Sequence, residues 1–319
     1  MEMTSLVADR LAGLAPDSLH LIVMPTEKCN FRCRYCYEDF SIGRMKPAIE
    51  QALSRFIRNR APALKQLHIG WFGGEPTLAL DIVERINLGA AASLRPSAKF
   101  TSSMSTNAYL LNRLRFERLI SANVRTFQVT LDGDEEAHDS TRIRQNGGGS
   151  FKVIMENICE ALDSDHHFLI SLRIHVHGGN LESVKRLVSR LVRMFEGERR
   201  ISVYLKNIEQ LSESIPDELM LLHGNDHLTE LRNAISAAGL FEEKASPPIC
   251  YAARANSLVV RADGRIGKCT VALSDPRNTV ATLNEDGSIA PDNDRFRPWI
   301  RGLLSGDINE LSCPLVGLQ

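Results

Sequence analysis

Apolar, β-branched runs recur at 19–24, 66–72, 98–104, 124–131, 168–176 and 200–205, and stretches with helical spacing lie between them at about 47–60, 80–93, 110–121, 150–163 and 180–195. A strand-length run followed by an amphipathic helix, repeated, predicts parallel βαβ units. Ser150 and Asn180 stand where helix N-caps are expected. After about residue 217 the rhythm changes. A further helical stretch (217–238) leads to Ser246–Pro247–Pro248, a plausible boundary, and then to two short strands around Asp263–Gly264, a hairpin signal. The expected fold is α/β: an N-terminal extension (1–18), a partial (β/α)6 barrel (19–240) and a small C-terminal domain with a β-hairpin (241–319).

Alternation along the strands separates two faces. Leu172, Ile174 and Val176 share one face, and Arg173, His175 and His177 the other. Phe127, Val129 and Leu131 oppose Gln128, Thr130 and Asp132; Ser103, Ser105 and Asn107 line up, as do Tyr204 and Lys206. A packed closed barrel would be mostly apolar on both faces. A polar face towards the strands' C-terminal ends predicts a wide barrel filled by ligand; a strand face open to water is the alternative. Asp132, His175 and Tyr204 are the candidate catalytic side chains on that face.

The formal charge of −1 gives no bulk attraction to nucleic acid or to an anionic membrane. No apolar run reaches the roughly 18–20 residues that span a bilayer, and the N-terminus lacks the basic start and apolar stretch of a signal peptide. The expected compartment is the cytoplasm. In a reducing compartment, clustered cysteines are metal ligands or catalytic more often than disulfides, and three of the seven cysteines fall within 29–36.

That cluster, Cys29-x3-Cys33-x2-Cys36, follows the first predicted strand. Three thiolates on a cluster that normally takes four leave one iron open to a small molecule. Structural zinc is the alternative, but it wants four closed ligands and no fourth Cys or His lies nearby in sequence. With aromatic Tyr35 before the last cysteine, the segment resembles the CxxxCxΦC signature of the radical S-adenosylmethionine (SAM) superfamily. The resemblance runs over about 19–210. It implies a 4Fe–4S cluster whose open iron is chelated by SAM, and a 5′-deoxyadenosyl radical that abstracts hydrogen from substrate.

Other segments agree with that resemblance. Residues 71–76 (WFGGEP) resemble the family's GGEP motif, in which Gly73 and Gly74 let backbone approach the SAM amine and Glu75 accepts from it. Ser105 and Asn107 fall in a segment similar to the Thr-Asn-Gly element, with Ala108 in place of glycine. Residues 130–142 resemble the S-L-D-G…H-D-x-x-R stretch of peptide- and protein-modifying members, with Thr130 where serine is usual. Arg142, or else inward-facing Arg173, is implied as the partner of the SAM carboxylate. His138 falls in the loop of this stretch, and Cys159 reads as a buried thiol on a helix.

Cys250-x13-Gly264-x4-Cys269, with Cys313 further on, resembles the auxiliary-cluster domains of SPASM and twitch type. Val316 stands where a closing cysteine is usual. The resemblance implies one auxiliary 4Fe–4S cluster with three cysteine ligands and an unidentified fourth; the alternative is a decayed domain with buried thiols. Together these motifs imply a maturase that crosslinks, epimerises or oxidises a peptide or protein. The other readings are a twitch-type dehydrogenase of a small molecule, a formylglycine-forming sulfatase maturase and, from another class, a non-catalytic iron–sulfur regulatory module. A reducing donor such as flavodoxin or ferredoxin is implied. The 28 residues before Cys29 are too few for a winged-helix peptide-recognition domain. Leader binding is therefore expected at the barrel rim, at the auxiliary domain or on a separate protein.

Overall fold

The computed structural model describes residues 2–209, 211, 219–222, 224, 226–242 and 249–318. The expected boundary at Ser246–Pro247–Pro248 lies outside the described residues, as does part of the helical stretch expected over 217–238. The strands are β1 (Ser18–Val23), β2 (Phe31–Cys33), β3 (Gln66–Trp71), β4 (Lys99–Thr106), β5 (Val124–Leu131), β6 (Arg142–Arg144), β7 (Leu169–Val176), β8 (Ile201–Asn207), β9 (Phe241–Glu242), β10 (Ser257–Val260), β11 (Arg265–Gly267), β12 (Ala281–Leu283) and β13 (Ile289–Pro291). The helices are α1 (Glu2–Ala12), α2 (Pro47–Arg60), α3 (Leu80–Ser93), α4 (Arg113–Ser121), α5 (Glu135–Thr141), α6 (Phe151–Leu162), α7 (Leu181–Phe195), α8 (Thr229–Ala237), α9 (Asn293–Ser305) and α10 (Ile308–Ser312).

Described residues within 1–28, 40–103 and 245–319 form one compact unit, and those within 29–39 and 104–244 another; β4 begins in the first and ends in the second. In the first unit β1 pairs in parallel with β3 on one side and with β10 on the other. The β10–β11 hairpin and the β12–β13 pair extend that sheet by antiparallel pairing. Leu21 and Val23 face Ile69 and Trp71 across the β1–β3 ladder, and all four are buried.

In the second unit β5, β7, β8 and β9 pair in parallel. Phe127, Val129 and Leu131, with Ile170, Leu172 and Ile174 beside them, form one fully buried apolar face. The opposite face is polar, as the alternation predicts. A separate antiparallel pair joins β2 to β6.

Ser150 and Asn180 do occupy the N-cap positions of α6 and α7, but neither side chain caps its helix. Both are engaged elsewhere. Asp139 serves α6 instead, its Oδ1 accepting the N–H groups of Ser150 at 2.7 Å and Phe151 at 3.0 Å. The Asn180 amide donates to the carbonyls of Asp132 (2.9 Å) and His175 (3.0 Å), tying the ends of β5 and β7 together.

One ion pair fastens the first unit. Glu27 follows β1, Arg261 follows β10, and both are buried. Arg261 donates from Nε to Glu27 Oε1 (3.2 Å) and from Nη2 to Oε2 (2.6 Å), and from Nη1 to the Leu273 carbonyl (2.7 Å). Removing one partner of such a pair strands a charge, whereas replacing both by apolar groups need not. Glu27→Ala should therefore lower the unfolding free energy by about 3–5 kcal/mol. The Glu27→Leu, Arg261→Met double variant should recover most of that loss in urea melts. A single variant as stable as the parent would contradict this reading.

Candidate functional site

Cys29, Cys33 and Cys36 lie in a loop that is fastened by backbone pairing. Phe31–Cys33 runs antiparallel to Arg142–Arg144, with Cys33 opposite Arg142. Arg34 N–H donates to the Thr141 carbonyl at 2.9 Å, and Gln145 N–H to that of Asn30 at 2.8 Å. The Phe31 N–H points at Cys29 Sγ (3.3 Å). Burial pushes the Cys33 thiol up, against the pull of Arg142, and raises Cys36 to about 11. Ionising such thiols calls for a cationic group beside them, which a bound cluster supplies. None of the seven cysteines is in a disulfide. No three His, Cys, Asp or Glu side chains among the described residues converge to hold a single metal ion. A four-iron cluster makes a different demand, since each thiolate binds its own iron.

Behind the cysteine loop, four side chains meet around Asp132. This carboxylate is fully buried at the end of β5. It accepts the Tyr35 hydroxyl at 2.9 Å and the Thr141 hydroxyl at 2.8 Å, with the His175 ring nitrogen 3.5 Å away. Burial opposes its charge, but His175 and Arg142 hold the carboxyl well below the usual range. Arg142 donates to the Tyr35 hydroxyl at 2.7 Å, and its Nε lacks a partner among the described residues. Although burial disfavours its charge, Tyr35, Cys33 and Asp132 keep Arg142 protonated. The His175 ring meets Tyr35 edge-on at 5.0 Å. Tyr35 therefore joins the loop carrying Cys33 and Cys36 to the ends of β5 and β7.

The glycine turn after β3 has its own constraint. Gly73 and Gly74 have φ of +84° and +50°. A Cβ on Gly74 would stand 2.2 Å from the Lys28 carbonyl oxygen, and Glu75 N–H donates to that same oxygen at 3.0 Å. Only glycine fits so close an approach in this conformation. Glu75 is fully buried, and its Oε1 accepts the Thr77 N–H (3.0 Å) and hydroxyl (2.7 Å). The turn thus presses on the residue immediately before Cys29.

The other candidate residues fall on the walls. Asn107 donates to Asn30 Oδ1 at 2.7 Å and lies 3.9 Å from Cys29 Sγ. Ala108, where the family has glycine, adopts φ +57°. Ser105 donates to Gln128. Thr130, Arg173 and Tyr204 stand side by side across β5, β7 and β8. His138 is buried against Ser150.

In the first unit, Cys250, Cys269 and Cys313 lie near enough for their charges to act on one another. Burial raises the thiols of Cys250 and Cys269, while backbone N–H groups of 252–253 and 271–272 favour the thiolates. Three such sulfurs, two of them with amide donors aimed at them, suit an iron–sulfur cluster. Asn278 braces the turn: its Oδ1 accepts the N–H groups of Lys268 and Cys269, both at 2.9 Å. Lys268 is fully buried and lowered by burial to about 7, partly restored by Cys250. Cys159, on α6, responds to Asp163 and Arg190 and joins neither group. Thr141, Asn278 and Lys268 escape sequence reasoning because their contacts belong to no spaced motif. His20 is similar: it lies 3.1 Å from the Ser257 hydroxyl, its ring meets that of His68 at a tilt with centroids 4.9 Å apart, and it is lowered by burial to about 3.

The family model described as the radical SAM superfamily matches residues 23–191. The chain belongs to the radical SAM superfamily. The chemistry of that superfamily rests on a 4Fe–4S cluster and SAM. The chain is 26% identical over 184 residues to a serine-type anaerobic sulfatase-maturating enzyme of Klebsiella aerogenes, covering 56% of this chain and 45% of that protein. It is 26% identical over 191 residues to a PqqA peptide cyclase of a Methylobacterium species, covering 59% and 46%. The chain spans about half the length of these relatives. The solved structure of native anSMEcpe with bound AdoMet and Cp18Cys peptide superposes with a TM-score of 0.65 at 20% identity, covering 83% of this chain and 77% of that one. That likeness shows the radical SAM fold. No helix among the described residues is long and apolar enough to cross a membrane.

Two histidines of this radical SAM chain give it a pH signature. Burial, with Arg142 opposing a second positive charge, lowers His138 to about 4; burial also lowers His175 to about 4, although Asp132 partly opposes that shift. Unfolded, both would titrate near 6.5. The stability due to their neutrality is full above about pH 6.5 and is lost as the pH falls towards 4, because the unfolded chain then binds protons that the folded chain does not. The urea midpoint should fall steadily between pH 7 and 5, and His138→Gln should flatten that slope by about one proton's worth. A midpoint that stays level or rises over this interval would contradict the assignment.

Proposed function

We propose that this radical SAM enzyme is a maturase that modifies a peptide or protein. In this reading Cys29, Cys33 and Cys36 each bind one iron of the first cluster. Arg142, through its unpartnered Nε, would take the SAM carboxylate and Glu75 its ammonium, and Asn107 and Thr130 are further candidate SAM contacts. When bound, SAM and a reduced cluster would supply the 5′-deoxyadenosyl radical chemistry by which hydrogen is taken from the substrate. Asp132 acts as a positioning residue in this reading: its hydrogen bonds are spent on Tyr35 and Thr141, and His175 and Arg142 hold its carboxyl well below the usual range. Cys250, Cys269 and Cys313 would hold an auxiliary cluster, which would supply an acceptor for the electron of the substrate radical. A low-potential donor such as flavodoxin or ferredoxin delivers the initiating electron.

The observation that carries this reading is the fastening of the cysteine loop against Arg142, with a polar strand face beside it. The peptide substrate rests on the likeness to peptide- and protein-modifying relatives. A second reading, formylglycine formation on a sulfatase, is favoured by the sulfatase-maturating enzymes among them. Mass spectrometry of a co-expressed sulfatase would reveal it as an aldehyde replacing serine or cysteine.

Replacing Cys29, Cys33 and Cys36 together by alanine should abolish 5′-deoxyadenosine formation after anaerobic reconstitution. Iron should fall from about eight to about four per chain, the remainder belonging to the auxiliary cluster. A triple variant that still forms 5′-deoxyadenosine at the parent rate would sink the first assignment. One that holds no iron would sink the second.

A further inference from the structure

The polar face of β5, β7 and β8 is built in registered rows. Gln128, Ser171 and Ser202 form one row; Thr130, Arg173 and Tyr204 form the next; His175 and Lys206 pair beyond them. Neighbouring strands stand about 4.8 Å apart, so the middle row spans roughly 10 Å. It is a guanidinium flanked by two hydroxyl-bearing side chains.

Among the described residues, Asp132 and Glu209 near this face are already engaged. Asp132 is held by Tyr35 and Thr141, and Lys206 pairs with Glu209. The Nε of Arg173 is buried without a hydrogen-bond partner among the described residues, and so is the hydroxyl of Ser202 one row away. Arg173 is half-buried as a whole, and a guanidinium whose inner N–H is buried and unpaired is costly unless a ligand supplies the acceptor. The two inward arginines also differ in their surroundings. Arg142 pairs with Cys33 across the β2–β6 ladder and acts on its thiol, so it would stand beside a cluster held there and suit the carboxylate of a SAM bound to it. Arg173 acts on His175 and is not among the groups that shift Cys33 or Cys36.

We propose that Arg173, flanked by Thr130 and Tyr204 with Ser202 one row away, is the site at which a carboxylate of the substrate is recognised. The inference rests on the maturase reading and sharpens it: the substrate is a peptide that presents an acidic side chain or its C-terminal carboxylate to β7. A guanidinium gives planar, paired hydrogen bonds to a carboxylate, and the neighbouring hydroxyls can satisfy its remaining lone pairs. An uncharged isostere would leave Arg173 stranded, so selectivity follows from the cost of the unpaired cation.

The test uses the anaerobically reconstituted enzyme with SAM bound and three labelled peptides of about six residues, their binding followed by fluorescence anisotropy. The first is amidated with one central Glu, the second is amidated with Gln there, and the third has Gln and a free C-terminal carboxylate. The enzyme should bind the first or the third at least about tenfold more tightly than the second. Preference for the first assigns a side-chain carboxylate, and preference for the third assigns the chain terminus. Arg173→Gln should erase the preference and Arg173→Lys should restore part of it. SAM affinity in Arg173→Gln should stay within about twofold of the parent, whereas Arg142→Gln should lose about tenfold. Equal binding of all three peptides, binding of none, or a preference that survives Arg173→Gln overturns the proposal. Loss of SAM affinity in Arg173→Gln overturns it too, by assigning the guanidinium to SAM. SAM cleavage measured on the same samples reports separately on the maturase reading.

Discussion

The Lys28 carbonyl is the point on which the site depends. It accepts the Glu75 N–H at 3.0 Å and leaves no room for a side chain on Gly74. Two loops that are distant in sequence are thereby held backbone to backbone, one carrying Glu75 and the other about to supply Cys29. Residues 26–28 are pinned further by the bridge from Thr26 to Arg44 and by the buried clasp of Glu27 on Arg261. A cluster ligand needs its backbone fixed before metal arrives, because three thiolates must meet one cluster within a few tenths of an ångström. Here the fixing comes from backbone contacts and a buried ion pair rather than from the cysteines themselves.

At the far end of the loop, restraint comes from polar side chains around Asp132. Tyr35 reaches Asp132 and Arg142 together, so the residue before Cys36 is coupled to the ends of two strands. The network is largely buried and most of its polar atoms are satisfied, a combination that rigidifies a site. Among the described residues its unpartnered atoms are Arg142 Nε and His175 Nδ1; Arg142 Nε and, on β7, Arg173 Nε are the guanidinium donors left for anionic ligands.

Much of this was legible in the sequence. The six strands and their polar face follow from alternation, and each strand lies within about two residues of its expected bounds. The cysteine loop and the glycine turn were readable because their chemistry demands fixed spacing. Other features were not. The β10 strand continues the sheet of β1, but parallel pairing between segments more than 200 residues apart leaves no local trace, and the change of rhythm after 217 suggested only a boundary. Ser150 and Asn180 lie at helix starts, yet their side chains serve longer-range partners, which intrinsic capping preference cannot foresee. Asp132 read as a catalytic candidate because it is a carboxylate on a polar face; its burial under Tyr35 and Thr141 becomes visible only when the β2–β6 pair is known. Lys268 and Asn278 serve the second cysteine group from positions that no motif marks.

The account stands or falls on an open iron held by Cys29, Cys33 and Cys36. Electron paramagnetic resonance of the reduced, anaerobically reconstituted enzyme, recorded with and without SAM, addresses that point most directly. The account predicts a four-iron signal whose g-values change when SAM is added, with a second signal from the auxiliary cluster that does not respond. A spectrum in which no signal responds to SAM would contradict it.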